Sequence, residues 1–174
     1  EPLLHKMLKY RFQNGTGLAG HSLGNLILAA MTDITGDFVT GITELSRVLA
    51  VRGRVLPAAN QAILLKAEME DGSIVVGESS IPKAGMAIRR VFIEPESVDP
   101  LPEAVEAIRE ADAILIGPGS LYTSIIPNLI VPKLAEAIVA SDAVKLFICN
   151  VMTQPGETDG YSVGDHLEAI LAHI

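Results

Sequence analysis

The sequence is short of basic residues, of aromatic rings and of cysteine. Lys and Arg number 13 against 21 Asp and Glu, a formal net charge of -8, so the chain lacks the positive field that a nucleic-acid backbone needs. Aromatic residues make up 4 % and tryptophan is absent, which removes the stacking platforms of single-strand binders. Nucleic acid is therefore not an expected partner. A lone cysteine, Cys149, excludes a disulfide within the chain and suits a reducing compartment. It reads as a small buried hydrophobe. No apolar run approaches the roughly 18 residues that span a bilayer, and no signal-peptide pattern is read at the start. Membrane insertion is not expected, and the cytoplasm is the expected location.

What remains is aliphatic. Hydrophobic residues are 49 % and charged ones 20 % of 174, enough for one domain with a core of Leu, Ile, Val and Ala. The spacing of Leu3, Leu4, Met7 and Leu8 predicts a helix over residues 1–12. The glycine-rich stretch from Asn14 to Gly20 is a loop. Ser22 is a candidate cap for a helix that stops at Gly36, and Asp37 for a third helix to about Ala50. A β-rich excursion follows over about 53–94. It has short strands at 54–57, 62–69, 73–77 and 88–93, and an Asp71-Gly72 turn between the second and third. After Pro100 the pattern alternates: helix 101–111, strand 112–116, helix 131–140, strand 144–151, helix 163–174. Apolar strands alternating with helices indicate a parallel sheet covered on both faces. The fold class is α/β, a single domain over 1–174 with a β-hairpin excursion.

The first of these strands stops at Gly117-Pro118-Gly119-Ser120, and Thr123 and Ser124 follow. In an open α/β sheet, ligands sit beyond the carboxyl ends of the strands. Small residues let backbone N–H groups approach an anion there, and a helix start favours negative charge. The loop reads as a phosphate site, or more plainly as a turn with Ser120 capping a helix. The second strand runs into a polar loop from Asn150 to Tyr161. Parallel strands bring both loops to one edge, so Asn150, Thr153 and Asp159 join the candidate cleft.

Gly20-His21-Ser22-Leu23-Gly24 matches the G-x-S-x-G nucleophile elbow, and Asp142 or Asp159 with His166 completes a hydrolase order. That elbow needs a buried strand before the serine, and the segment 13–19 cannot supply one. A serine hydrolase using Ser22 stays as a third reading. The alternative is a loop leading into a helix, with His21 and Asn25 facing a ligand or bracing the loop. The histidines His5, His21, His166 and His173 show no metal-site spacing, and no metal ligand is assigned. Arg52, Arg54, Lys83, Arg89 and Arg90 are either a solvated face or a basic rim for a phosphorylated ligand.

With these residues in view, the sequence resembles the YvcK/CofD family. The carrying segments are Gly20 to Asn25, Gly77 to Ile81, Ala111 to Leu129, and Cys149 to Gln154 with Glu157 to Tyr161. Gly-Pro-Gly-Ser-Leu-Tyr-Thr-Ser is similar to the bacterial YvcK branch, whereas CofD transferases carry a Gly-Pro-Ser-Asn version. The resemblance implies a Rossmann-like α/β fold with a nucleotide-type ligand. On the YvcK side it implies a cytoplasmic regulator that binds UDP-sugars and is linked to gluconeogenic growth, cell shape and cell-wall synthesis. On the CofD side it implies a transferase that joins a phospholactyl group to a deazaflavin with a guanylyl-activated donor and Mg²⁺. Carried over residue by residue, the ligand role falls on Gly117, Pro118, Gly119, Ser120, Thr123 and Ser124, and on His21, Asn25, Asn150 and Asp159. The regulator is the first expectation, with a UDP-sugar as ligand, no certain cofactor, and Mg²⁺ only under the transferase reading. The family's opening Gly-Gly-Thr-Gly turn and Asp-Asp-Gly segment have no counterpart here. The chain is thus expected to be a central segment, with an uncovered sheet edge that favours association between copies.

Overall fold

Local signals set most of the element boundaries in the computed structural model, which describes residues 2–174. The chain clusters into two compact units, one ending at Pro57 and one spanning Ala58–Ile174. In the first unit, helix α1 (Pro2–Lys9) is shorter than the expected 1–12, residue 1 lying outside the described residues. An isolated antiparallel bridge joins Arg11 to Ser22, and the turn-rich 14–20 segment loops out between them. Ser22 caps α2 (Leu23–Thr35) by accepting the Asn25 N–H at 3.2 Å. Gly36, at φ 75°, ends it in the left-handed conformation that glycine adopts without a Cβ penalty. Asp37 then caps α3 (Phe38–Val48) by accepting the Thr40 N–H at 2.8 Å. The short strand expected at 54–57 does not form. Gly53 turns the backbone to φ 88° there, and Pro57 has no N–H to give a ladder.

The second unit opens with an antiparallel sheet of order β2-β1-β3, made of β1 (Leu64–Met69), β2 (Ile74–Val76) and β3 (Ile88–Glu94). The Asp71-Gly72 turn forms as expected, with the Asp71 carboxylate accepting the Ser73 N–H at 2.9 Å. Period-two alternation puts Leu65, Ala67 and Met69 on the buried face of β1. Lys66 and Glu68 alternate with them. Lys66 pairs with Glu94, and Glu68 takes Arg89 at 3.0 Å and Arg90 at 2.7 Å. Arg90 first, then Arg89, holds the Glu68 carboxyl below its ordinary value. These two arginines are thus engaged across strands rather than forming a free basic rim.

The alternating half keeps the expected order, beginning with α4 (Pro102–Arg109) and β4 (Ala113–Ile116), but a wide π-type turn (Leu121–Ile125) running into α5 (Ile126–Leu129) is added after β4. The expected α6 (Leu134–Ala140), β5 (Val144–Phe147) and α7 (Val163–Leu171) follow, with β5 ending short of the expected 151. β4 and β5 pair in parallel, from Ala113 opposite Val144 to Ile116 opposite Phe147. This is the expected α/β class with a parallel sheet, flanking helices and an antiparallel excursion. Coverage departs from expectation. Ile116 and Phe147 pack against a core that holds Met69, Ile81, Leu121, Ile126 and Val131, whereas Leu115 and Leu146, paired on the other face, are 59 % and 50 % exposed. The helices near this pair bury only one of its faces. No single helix among the described residues is long and apolar enough to cross a membrane.

A capping box starts α7. Ser162 Oγ accepts the Asp165 N–H at 3.2 Å, and the Asp165 carboxylate accepts the Ser162 N–H at 2.6 Å. That backbone N–H is the main reason the Asp165 carboxyl lies below its ordinary value of 3.8. A lowered folded value means the stabilisation is complete above the ordinary value and is lost as pH falls through the folded one. Acid titration of the far-ultraviolet circular dichroism should show helix lost below about pH 4. Asp165→Asn should lack that step; superimposable curves would remove the box from the account.

Candidate functional site at the carboxyl ends of the parallel strands

The chain leaves β4 through Gly117, at φ 90°. A Cβ at this position would stand 2.8 Å from the Ile148 carbonyl oxygen, so the turn lies directly against the end of β5. The Ile148 N–H continues the ladder to the Ile116 carbonyl at 2.9 Å. Asn150 then reaches across, its Nδ2 donating to the Gly119 carbonyl at 2.7 Å. Parallel pairing has brought the two expected loops together. Ser120 has extended backbone, and its carbonyl accepts both the Ser124 and the Ile125 N–H at 2.9 Å, which widens the first turn to a π-turn. The Ser120 hydroxyl makes no capping bond. Ser124 is exposed, and its carbonyl accepts from Asn128 Nδ2 at 2.7 Å.

Thr123 is committed elsewhere. Its hydroxyl donates to Glu157 Oε1 at 2.8 Å. The same carboxylate accepts the Tyr122 N–H through Oε2 at 3.1 Å and the Gln154 amide through Oε1 at 2.9 Å. Glu157 is 4 % exposed. A buried carboxylate needs such donors, because leaving water is costly for a charge, and a helix start is a favourable place for it. Sequence reasoning gives Glu157 no role at this site. Thr123 and Tyr122 lie 34 and 35 positions away in sequence, beyond any local periodicity; its place in a polar loop after a strand and in a segment carrying the family resemblance are the signals it has.

The loop carrying Glu157 is itself braced. Thr158, 2 % exposed, accepts the Gln154 N–H at 2.8 Å, and the Gln154 carbonyl takes the Glu157 and Thr158 N–H groups at 3.0 and 2.9 Å. Gly156, at φ 80°, lies so close to Pro82 that a Cβ would run into its carbonyl. Asp159 accepts the Gly156 N–H at 2.7 Å and closes this turn. Tyr161 shares a hydroxyl bond of 2.7 Å with Tyr122. Burial pushes the Tyr122 phenol well above its ordinary value, with Tyr161 and then Glu157 adding to it.

Four of the expected ligand residues line two separate cavities of this unit, and Gly119, Ser120, Thr123 and Asn150 line neither of them. Gly117, Pro118 and Ser124 line one of about 410 Å³ with Asn128. Asp159 lines another of about 350 Å³ with Glu157, Tyr161 and Lys83. A larger cavity, about 750 Å³, lies near the opposite ends of the strands, lined by Asp112 and Ala143 with Arg109, Lys133 and Glu136. Size does not favour it as the site, since ligands of open α/β sheets bind beyond the carboxyl ends. His21 and Asn25 belong to the first unit, and both are exposed. The hydrolase elbow is not built: Ser22 follows a turn-rich loop instead of a buried strand, and its Oγ is used as a helix cap. His166 turns its Nδ1 to the Ser162 carbonyl at 2.8 Å. Among the described residues, no three His, Cys, Asp or Glu side chains gather as a metal cage.

Comparison with known proteins agrees with this architecture. The family model described as 2-phospho-L-lactate transferase CofD matches residues 1–174. A gluconeogenesis factor of Halalkalibacterium halodurans is 65 % identical over 173 residues, covering 99 % of this chain and 54 % of the relative. One from Bacillus subtilis is 60 % identical over 174 residues, covering 100 % and 55 %. A crystal structure of a Bacillus halodurans protein superposes with a TM-score of 0.92 at 65 % identity, over 99 % of this chain and 56 % of that one. The chain thus spans about half the length of the curated relatives it matches. A match along its whole length, joined to a parallel pair with both glycine and asparagine loops at one edge, places this chain in the CofD family, among relatives that include bacterial gluconeogenesis factors.

Proposed function

We propose that the loops beyond β4 and β5 bind a nucleotide sugar, with a UDP-sugar as the ligand, and that the protein acts as a regulator linked to gluconeogenic growth, cell shape and cell-wall synthesis. The observation that carries this reading is the Asn150–Gly119 bond, which holds a turn of small residues against a polar loop at the sheet's carboxyl edge. Ser120, whose hydroxyl caps nothing, and exposed Ser124 are the side chains left to meet phosphate oxygens. Asn150 and the 153–161 loop would contact the remainder. The names of the relatives support the gluconeogenic link. A second reading, a CofD-like transfer of a phospholactyl group to a deazaflavin, is favoured by the description of the matching family.

The two readings separate in a calorimetric titration of the full-length protein with UDP-N-acetylglucosamine and with GDP. The nucleotide sugar should bind at least about tenfold tighter, a difference of about 1.4 kcal/mol. Ser120→Ala should weaken it roughly tenfold or more, as expected for one hydrogen bond to a charged group. Preference for GDP, strengthened by deazaflavin and Mg²⁺, would transfer the assignment to the transferase. Binding of neither would leave the glycine turn with a purely structural role.

A further inference from the structure

The best-held charge at this site is one with no ligand role. Glu157 takes three donors from two segments: Tyr122 and Thr123 after β4, and Gln154 from its own loop. It therefore bridges the two loops by charge, as Asn150 bridges them by an amide. Two roles are open to such a group. It is a gate if an incoming phosphate displaces it from the Tyr122 N–H, and a latch if it stays.

The surroundings favour the latch. Swinging Glu157 out would give up three donors at once, and the loop behind it is held by the Gln154 carbonyl and by Thr158, which is 2 % exposed. Gly156 beside it is pressed on the Pro82 backbone. The residue itself is 4 % exposed, and the cavity it borders is shared with the Asp159 carboxylate, which offers it no donor in place of these three. A phosphate brought to the same donors would also meet a like charge, which disfavours it further.

We infer that Glu157 is a positioning residue, and that Thr123 serves Glu157 rather than the ligand. The latch fixes the start of the turn after Ser120, so that the Gly117–Ser120 backbone and the Ser120 hydroxyl are preset for the diphosphate. This rests on the nucleotide-sugar reading above. It reassigns one residue of that reading: Thr123 leaves the ligand shell and Glu157 enters as its support.

The test pairs a ligand-free measurement with a ligand-bound one, both on the full-length protein. Amide hydrogen exchange at Tyr122 reads the latch directly. Calorimetry with UDP-N-acetylglucosamine reads its consequence in wild type, Glu157→Gln, Thr123→Ala, Thr123→Ser and the Thr123→Ala/Glu157→Gln pair. Glu157→Gln should speed Tyr122 exchange and weaken binding, each at least about tenfold. Thr123→Ala should weaken binding alone but add nothing in the Glu157→Gln background, the signature of two residues acting as one unit. Thr123→Ser, which keeps the hydroxyl, should restore wild-type binding. Ser120→Ala should cost less in the Glu157→Gln background than in wild type, since the latch presets its hydroxyl.

A full Thr123→Ala loss in the Glu157→Gln background would put Thr123 on the ligand and overturn the inference. So would unchanged affinity in Glu157→Gln when wild type binds. If Glu157→Gln does not fold, Thr123→Ala decides: unchanged Tyr122 exchange with lost affinity would again place Thr123 on the ligand. Wild type that ignores the nucleotide sugar overturns the functional reading and the positioning role together, which distinguishes that failure from the others.

Discussion

Gly156→Ala is expected to destabilise the Ala58–Ile174 unit by about 3 kcal/mol, combining roughly 1–2 kcal/mol for left-handed backbone with 1–3 kcal/mol for forced overpacking. Both contributions can be read at this residue. Its φ is 80°, and an added Cβ would come within 2.8 Å of the Pro82 carbonyl carbon and closer still to its oxygen. The obstacle is backbone, which cannot rotate away as a side chain can. Gly160 supplies the control. It has φ 75° but nothing within 4 Å of an added Cβ, so Gly160→Ala should cost only the conformational part. At about 2–4 °C per kcal/mol for a chain of this size, Gly156→Ala should melt roughly 6–12 °C below wild type, and Gly160→Ala a few degrees below. Equal losses in the two variants would mean that the loop does not press on Pro82.

Gly117→Ala should damage stability and ligand binding together. A Cβ there meets the Ile148 carbonyl oxygen at 2.8 Å and Ile125 Cδ1 at 3.3 Å, from a backbone at φ 90°. The flexible Ile125 end can yield; the Ile148 carbonyl, at the end of the β5 ladder, cannot without parting the two loops. A loss of about 2–4 kcal/mol follows from strain and overpacking, measured by denaturant unfolding. UDP-N-acetylglucosamine affinity should fall at least about tenfold, since the turn and Asn150 would no longer share one geometry. Gly119→Ala offers the contrast. Its Cβ would make ordinary contacts of 3.5 Å with Ser124 Cβ and 3.6 Å with Ile125 Cγ1. It should leave stability nearly intact, so any loss of affinity would come from crowding the ligand. A Gly117→Ala protein of wild-type stability would contradict the described packing.

What the sequence discloses and what it conceals follow from the range of the forces involved. Ser22, Asp37 and the Asp71-Gly72 turn act within three residues of themselves, so a linear reading suffices to place their elements. The parallel pairing of β4 with β5 is also legible, because a helical crossover between apolar strands permits little else. Partners across strands are not. Arg89 and Arg90 look like free cations in a linear reading and become Glu68 partners only once β1 and β3 are in register. The strand expected at 54–57 has aliphatic residues but no neighbour to pair with, and composition cannot supply one. Thr123 looks like one hydroxyl among several, whereas its actual bond depends on a carboxylate 34 residues on. Half-open coverage of the parallel pair is equally invisible, since Leu115 and Ile116 are interchangeable in composition and opposite in environment.

The bond between the Tyr122 and Tyr161 hydroxyls has a practical consequence. The chain has three tyrosines and no tryptophan, so its near-ultraviolet emission comes from tyrosine alone. Two of the three emitters are joined at 2.7 Å, with ring centroids 6.4 Å apart, one on the helix start held by Glu157 and the other on the loop that carries it. Tyr10 lies in the other unit. The chain therefore carries a built-in optical probe, two of its three emitters being placed to respond when the two loops part.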